Sequence, residues 1–258
     1  EIEESLLDES IERLLELSEF TENKEVKEFD KDAHNERAKE ASEKSAVLME
    51  NDGILPLKGR EKIAVVGDFA FKPRYQGAGS SIVNPIMLTT AIEELKKSEF
   101  PAIFYSRGFE RYGKKNKKLL KEAERISGQA EVTLFFAGLD EYSEAEGIDR
   151  KDMKIPENQI EVFKDLIKAG RKVVLILHCG SSVELDWTEG ASAILYMGLS
   201  GQAGASACID LLTGKANPCG KLAETWWNNY ADCPTSDSEL FPGGEDEVVY
   251  REGLFSGY

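Results

Sequence analysis

Carboxylate side chains are concentrated in the segment GLDEYSEAEGIDR, residues 138–150, which directly follows the apolar run EVTLFFA. The apolar run is typical of a buried strand, so these carboxylates come where a strand ends. Glu144, Glu146 and Asp149 are the acidic residues of the second half of the segment, and Arg150 ends it. By residue type alone, the segment is either a solvated acidic loop or part of a site that works on a sugar.

Two other segments place polar side chains after predicted strands. They are KPRYQGAGSS, residues 72–81, and HCGSSVELDW, residues 178–187. The glycines of the first segment let backbone approach a ligand closely. The polar and aromatic side chains that the two segments offer are Arg74, Tyr75, Gln76, Ser80, Ser81, Ser181, Ser182 and Trp187. Hydroxyls, amides, carboxylates and an aromatic plane together suit a polyhydroxylated ligand, and an ordinary acidic rim remains the alternative.

The elements that must position these segments alternate between strands and helices. We predict strands at 62–67, 102–106, 131–138, 172–180 and 192–198, with 221–227 as a candidate last strand. We predict helices at 4–19, 32–49, 85–97, 115–126, 156–170 and 201–214. This alternation, with continuous apolar runs such as VVLIL, predicts an α/β fold with a mostly parallel sheet between helices. Ligands of such sheets bind outside the carboxyl ends of the strands, which is where all three polar segments lie.

Composition and charge exclude several classes of partner. The chain has 258 residues and a formal net charge of −16, so nucleic acid and an anionic membrane surface are poor partners. No apolar stretch approaches the roughly 20 residues of a membrane span. The four cysteines form no C-x-x-C pair and there are two histidines, so we expect no metal site and no cofactor. Because no signal-peptide pattern opens the sequence, we expect a cytoplasmic protein with reduced thiols.

Three short motifs come close to known catalytic or phosphate-binding patterns and fail. The segment GLSGQ around Ser200 departs from G-x-S-x-G, and no histidine follows His178 to complete a triad. The segment GKANPCGK is one residue too long for a P-loop and lacks its Ser or Thr. For His178 itself, a position in the core or a loop is the default interpretation.

Several segments, in order along the chain, resemble the second domain of family 3 glycoside hydrolases, with β-glucosidases as the nearest type. They are SAVLMENDGILPL, KIAVVGDFAFKPRYQGAGSS, YSEAEGIDR followed by IPENQ, GQAGASACIDLLTGKANPCGKLAETW and YREGLFSGY. The resemblance implies a six-stranded α/β sandwich at residues 31–258. It also implies that residues 1–30 are the closing helix of a barrel domain plus a linker. In this family the barrel carries an aspartate nucleophile, and in its β-glucosidase branch the sandwich carries the acid/base glutamate.

The resemblance assigns roles to individual residues. Glu146, just before a glycine, matches the acid/base, and Glu144 is the fallback because a one-residue realignment exchanges the two. The other residues that it implies are Ser80, Ser81, Arg74 and Tyr142 for substrate binding, and Asp149 and Arg150 as a loop-bracing pair. Repulsion from Glu144 and Asp149 should raise the pKa of Glu146, and Arg150 should oppose this rise.

These assignments make the chain the acid/base domain of a retaining β-glucosidase-like hydrolase. Its partners would be a β-linked glucoside or oligosaccharide and an N-terminal barrel domain of the same enzyme. Without that barrel we expect the domain to be inactive. The alternatives are a non-catalytic carbohydrate-binding or interaction module, or a generic binding domain, of flavodoxin-like fold. A barrel domain encoded upstream of this sequence would favour the hydrolase over both alternatives.

Overall fold

The structure, a computed structural model, describes residues 3–22, 24–25, 28–237, 240–243 and 246–258. The chain divides into two compact units, residues 1–34 and 35–258. Three positions of the predicted linker, 23 and 26–27, lie outside the described residues.

The helices are α1 (Glu4–Glu22), α2 (Lys31–Ser45), α3 (Ala91–Lys96), α4 (Lys117–Ser127), α5 (Glu157–Lys168) and α6 (Gly204–Thr213). The strands are β1 (Val47–Asn51), β2 (Lys62–Val66), β3 (Ala102–Ser106), β4 (Val132–Gly138), β5 (Val173–His178) and β6 (Ala193–Tyr196). Every predicted helix has a counterpart, although α3 begins only at Ala91. Thr90 fixes that start through a capping box in which its hydroxyl accepts from the backbone N–H of Glu93.

The six strands form one sheet in the order β1-β6-β5-β4-β2-β3. Strands β2 to β6 run parallel to one another, and β1 lies antiparallel to β6. All residues of β4 and β5 are buried, as expected for central strands covered by helices on both faces. The prediction of a six-stranded, mostly parallel α/β sheet is therefore confirmed.

The sixth strand is not the one that the sequence suggested. It is β1, which lies at the end of the predicted helix 32–49, whereas residues 221–227 form no strand. Pairing of Val47 with Tyr196 places β1 at the edge of the sheet beside β6, and this pairing outweighs the local helical pattern, as tertiary contacts commonly do. The apolar residues of 221–227 have another role, because Trp226 packs against Tyr196 with ring centroids 4.7 Å apart.

Helix α1 carries an apolar stripe but none of its residues is buried. Leu14 and Leu15, for example, are 66% and 64% exposed. Across the residues that the structure describes, no helix combines the length and apolarity needed to cross a lipid bilayer.

Candidate active site

The three polar segments come together at the carboxyl ends of β2, β4 and β5. They line a cleft of about 520 Å³, here called the Glu146 cleft. Its lining residues include Ser80, Ser81, Glu144, Glu146, Arg150, Gly180 and Ser181. Because β2, β4 and β5 are parallel, the loops that follow them leave the sheet at one edge, and this places the side chains together.

Glu146 is held by the loop that follows β2. Its Oε2 atom accepts a hydrogen bond of 2.7 Å from the backbone N–H of Ser80 and a second from the Ser80 hydroxyl. Its own N–H donates to the carbonyl of Ala78 at 2.9 Å. Gly79 makes this approach possible, since it has a φ of 106° and an added Cβ would lie 2.5 Å from the Cβ of Glu146.

These hydrogen bonds set the direction in which the pKa of Glu146 is shifted. The hydroxyl of Ser80, and then its backbone N–H, stabilise the ionised carboxylate and hold the pKa of Glu146 below its usual value. The sequence left open the balance between repulsion from Glu144 and Asp149 and attraction to Arg150, and the contacts of Ser80 decide the direction of the pKa shift instead. The physical reason is that two donors contact one carboxylate oxygen directly.

Glu144 faces the loop that follows β5. Its carboxylate accepts from the backbone N–H of Gly180 at 2.9 and 3.0 Å, and from the backbone N–H of Ser181 at 3.2 Å. The Ser181 hydroxyl donates to it as well, at 3.0 Å. Both oxygens of Glu144 are thus engaged by backbone or hydroxyl donors, and the side chain ties the two loops together.

Arg150 joins the same two loops, but not together with Asp149. Its Nη1 donates to the Ser181 hydroxyl at 2.7 Å and to the Ser182 carbonyl at 3.0 Å. Asp149 is exposed and makes no side-chain hydrogen bond or ion pair with the described residues. Of the pair that the resemblance implies, Arg150 therefore contacts the loop after β5, and no hydrogen bond or ion pair links Asp149 to Arg150 in the described part of the chain.

Arg74 lies at the floor of the cleft and is only 2% exposed. Its Nε donates to the carbonyl of Leu139 at 3.3 Å, its Nη2 to that of Glu144 at 2.8 Å, and its Nη1 to that of Gln76. All three nitrogen atoms of the guanidinium group therefore donate to backbone carbonyls. This geometry makes Arg74 a support for the loops, which differs from the expected contact with substrate.

The aromatic residues of the polar segments lie away from the cleft lining. Tyr142 is 71% exposed and packs edge-on against Tyr112, with centroids 5.3 Å apart. Trp187, expected to offer an aromatic plane, is 2% exposed and packs on Phe163 in the core. The apolar surroundings of Trp187 explain this burial better than a ligand-binding role does.

Residues 139–150, which follow β4, are here called the Glu146 loop. The sequence did not reveal the residues that anchor the start of this loop. Arg111, after β3, binds both oxygens of Glu141 through Nε and Nη2, and its Nη1 donates to Asp68 at 3.2 Å. Arg111 and Glu141 are 30 positions apart and belong to no motif, so the sequence alone does not indicate that they form an ion pair. No group of three or more potential metal ligands occurs in the part of the chain that the structure describes.

Comparison with known proteins identifies the family to which the chain belongs. Residues 46–258 match the family described as the glycosyl hydrolase family 3 C-terminal domain. Thermostable beta-glucosidase B of Acetivibrio thermocellus is 39% identical over 100% of this chain and 35% of its own length. An exo-alpha-(1->6)-L-arabinopyranosidase of Bifidobacterium breve is 36% identical over 89% of this chain and 32% of its own length. The chain thus spans about a third of the length of these curated relatives.

The fold agrees with solved structures of the same group. The crystal structure of a GH3 beta-glucosidase from Bifidobacterium adolescentis superposes with a TM-score of 0.91 and 38% identity, covering 100% of this chain and 38% of that one. A beta-glucosidase from Streptomyces venezuelae, 22% identical, shares the fold with a TM-score of 0.80. The chain belongs to the C-terminal domain family of the family 3 glycosyl hydrolases.

Proposed function

We propose that this domain supplies the general acid/base of a retaining β-glucosidase-like hydrolase and that Glu146 is that residue. The observation that carries the proposal is the asymmetric environment of its carboxylate. Ser80 holds Oε2, whereas Oε1 accepts no hydrogen bond from the described residues. Glu146 is also exposed at the cleft, so Oε1 can reach a glycosidic oxygen.

Glu144 is less suited to this role. A general acid must present a proton to the leaving oxygen and later take one from water. The carboxylate of Glu144 is occupied by Gly180 and Ser181, and using it would break those hydrogen bonds. We therefore assign Glu144 to positioning the loop that carries Glu146. Arg74 and Arg150 support the same loop through the contacts described above.

The reaction divides the work between two domains. In a retaining hydrolase a second carboxylate, about 5–5.5 Å from the first, attacks the anomeric carbon. As the bond to the leaving oxygen breaks, the acid protonates that oxygen, and its conjugate base then deprotonates the incoming water. We propose that the second carboxylate comes from an N-terminal barrel domain. On this proposal the 258-residue chain alone does not hydrolyse glycosides.

The lowered pKa of Glu146 is consistent with the proposal that the two catalytic carboxylates come from two different domains. In this chain Ser80 favours the ionised form, which cannot act as an acid. A nucleophile carboxylate brought close to Glu146 would raise its pKa again by like-charge repulsion. Docking of the second domain would therefore place the proton on Glu146 as well as complete the pair of carboxylates.

The proposed substrate is a β-linked glucoside or oligosaccharide. The support comes from two relatives that match the whole chain at 38–39% identity and whose names include beta-glucosidase. A relative named for an arabinopyranosidase matches nearly as well, so aryl α-L-arabinopyranosides belong in the substrate panel.

The test uses an enzyme that contains this domain together with its barrel domain. Glu146→Ala should slow hydrolysis of glucosides with poor leaving groups far more than those with good ones. The reason is that good leaving groups depart without protonation, whereas acid assistance is worth about 10²–10⁴-fold for the others. Azide should restore turnover of the activated substrates, since it attacks the glycosyl-enzyme without needing a base.

Glu144→Ala is the matched control in the same loop. It should lower activity by a similar factor for good and poor leaving groups and show no rescue by azide. If Glu144→Ala shows the leaving-group dependence and the rescue, and Glu146→Ala does not, the two assignments must be exchanged. Hydrolysis by the isolated chain that survives Glu146→Ala would refute the proposal as a whole.

A further inference from the structure

A second cavity lies along the edge strand β3 and shares no lining residue with the Glu146 cleft. It has a volume of about 990 Å³, at the upper end of the usual range for ligand pockets. The loops after β2 and β3, the start of the Glu146 loop and helix α3 form its walls. We call it the Phe71 groove, and nothing in the proposed acid/base chemistry uses it.

Aromatic rings form one wall of the groove. Phe71 is 54% exposed, and its ring lies 6.3 Å from that of the half-buried Tyr105. Ile92 and Ile103 extend this apolar wall. An exposed phenylalanine beside a tyrosine offers a flat apolar surface, on which the C–H face of a sugar ring can pack.

Polar groups border the aromatic wall, and those on its floor form ion pairs with one another. Asp68 is approached by Arg107 at 3.3 Å and by Arg111 at 3.2 Å, and Arg107 also pairs with Glu110 at 2.9 Å. Arg111 additionally binds Glu141. The floor therefore presents paired hydrogen-bonding edges. Lys72, Lys96 and Lys114 also line the groove, so its lining has five basic and three acidic side chains. The choice of a neutral sugar therefore rests on the aromatic wall and not on the charge of the lining.

The hydroxyl of Tyr105 adds an uncommitted polar group. It makes no hydrogen bond with any residue in the described ranges. Burial, and then the negative charge of Asp68, raise the pKa of Tyr105 to about 12, so the hydroxyl keeps its proton at neutral pH. It is therefore available to donate to a ligand hydroxyl.

We propose that the Phe71 groove is a second carbohydrate-binding site, which takes a neutral pyranose oligosaccharide with one ring stacked on Phe71. Tyr105, Arg107 and Glu110 contact the hydroxyl groups at the edge of that ring. The site holds a sugar chain without cleaving it. The proposal does not depend on Glu146 being the acid/base.

The test is an NMR titration of the ¹⁵N-labelled 258-residue chain with cellotriose, a neutral β-linked glucose trisaccharide. We expect saturable shifts of the backbone amides around Phe71, Tyr105 and Arg107. Phe71→Ala should weaken binding about tenfold, the effect of losing one aromatic contact. Tyr105→Phe, which keeps the ring and removes the hydroxyl, should weaken it by a smaller factor, about two- to tenfold.

Two controls keep the outcome interpretable. Phe255 is 76% exposed and does not line the groove, so Phe255→Ala should leave cellotriose binding unchanged. Glu146→Gln should also leave shifts in the groove unchanged, which separates this proposal from the proposed function. The amide spectrum of each variant checks that it is folded.

Three results would overturn the proposal. One is the absence of saturable shifts in the groove, or shifts confined to the Glu146 cleft. A second is equal affinity of the Phe71→Ala variant and the unchanged chain. The third is tighter binding of glucose 6-phosphate than of glucose in a salt-dependent manner, because the groove would then be an anion site.

Discussion

Ser80 contacts Glu146 through two different groups, a backbone N–H and a hydroxyl, and both point to one carboxylate oxygen. The neighbouring Ser81 lines the same cleft but makes no hydrogen bond with that carboxylate. The two serines therefore differ in their effect on Glu146, although they are identical in type and adjacent in sequence.

Ser80→Ala should raise the pKa of Glu146. The variant loses the hydroxyl, which is the main cause of the lowered value, and keeps the backbone donor, so the shift is a partial return toward the usual value. A ¹³C NMR titration of the Glu146 carboxyl group measures it directly. Ser81→Ala is the matched control and should leave the titration unchanged. Identical titration curves for both variants would show that the hydroxyl of Ser80 does not stabilise the carboxylate.

Strands β4 and β5 carry the two loops that flank Glu144, and Gly138 controls how closely they approach. An added Cβ at Gly138 would lie 1.9 Å from the carbonyl oxygen of His178, its register partner on β5. The amide of Gln159 clamps Gly138 from the other side, accepting from its N–H at 3.0 Å and donating to its carbonyl at 2.9 Å. Backbone therefore blocks any side chain at this position.

Gly138→Ala should destabilise the fold by about 3 kcal/mol or more, because the clash with backbone cannot be relieved by a rotamer change. Urea unfolding measures the free energy. Gly128→Ala is the comparison, since its Cβ would meet the flexible end of Arg171 at 3.2 Å. It should change stability by less than about 1 kcal/mol. Equal losses in the two variants would mean that the backbone contact at Gly138 relaxes easily.

The strands of the parallel part of the sheet were predictable, and the antiparallel edge strand β1 was not. Strands β2, β4, β5 and β6 lie inside the sheet and were found from apolar runs, because central parallel strands leave no polar face. The edge strand β3 was found as well, from the apolar run AIFYS. Strand β1 was missed because a five-residue antiparallel edge strand carries little signal of its own. The meeting of the loops around Glu146 followed from the rule for parallel strand ends.

What could not be predicted is which donor holds which carboxylate. Glu144 is bound by the backbone N–H groups of Gly180 and Ser181, and every residue type except proline has such a donor. The domain boundary at residues 30/31 and the cytoplasmic location stay predictions.

At the scale of the whole molecule, one buried histidine couples stability to pH. His178 is 5% exposed, is stacked on Phe136 at 6.1 Å, and its Nδ1 has no partner among the described residues. Burial lowers its pKa to about 4; a hydrogen bond with the Gly198 backbone opposes this shift and the charge of Arg111 adds to it. The folded chain therefore resists protonation of His178.

This lowered pKa predicts that stability is lost as the pH falls from about 6.5 to about 4. In that window the unfolded histidine binds a proton and the folded one does not, so each unit costs about 1.4 kcal/mol, and the total is about 3 kcal/mol. Urea unfolding across this range should show a smaller pH slope for His178→Gln than for the unchanged chain. His34→Gln, at an exposed position, is the control and should keep the original slope. Parallel slopes for all three proteins would show that His178 does not carry this dependence.

Cys179 directly follows β5, so the rate at which its buried thiol reacts can report local opening at that end of the sheet. Its thiol is buried, burial raises its pKa, and the next residue, Gly180, donates its N–H to Glu144. An alkylating reagent can therefore react with Cys179 only during the moments when this end of the sheet separates, whereas the exposed Cys219 reacts at once. Glu144→Gln weakens the tie to Gly180, so it should speed the alkylation of Cys179 and leave that of the buried Cys208 unchanged. The alkylation rate of Cys179 divided by that of Cys208 would then report how often the contact between Glu144 and Gly180 opens.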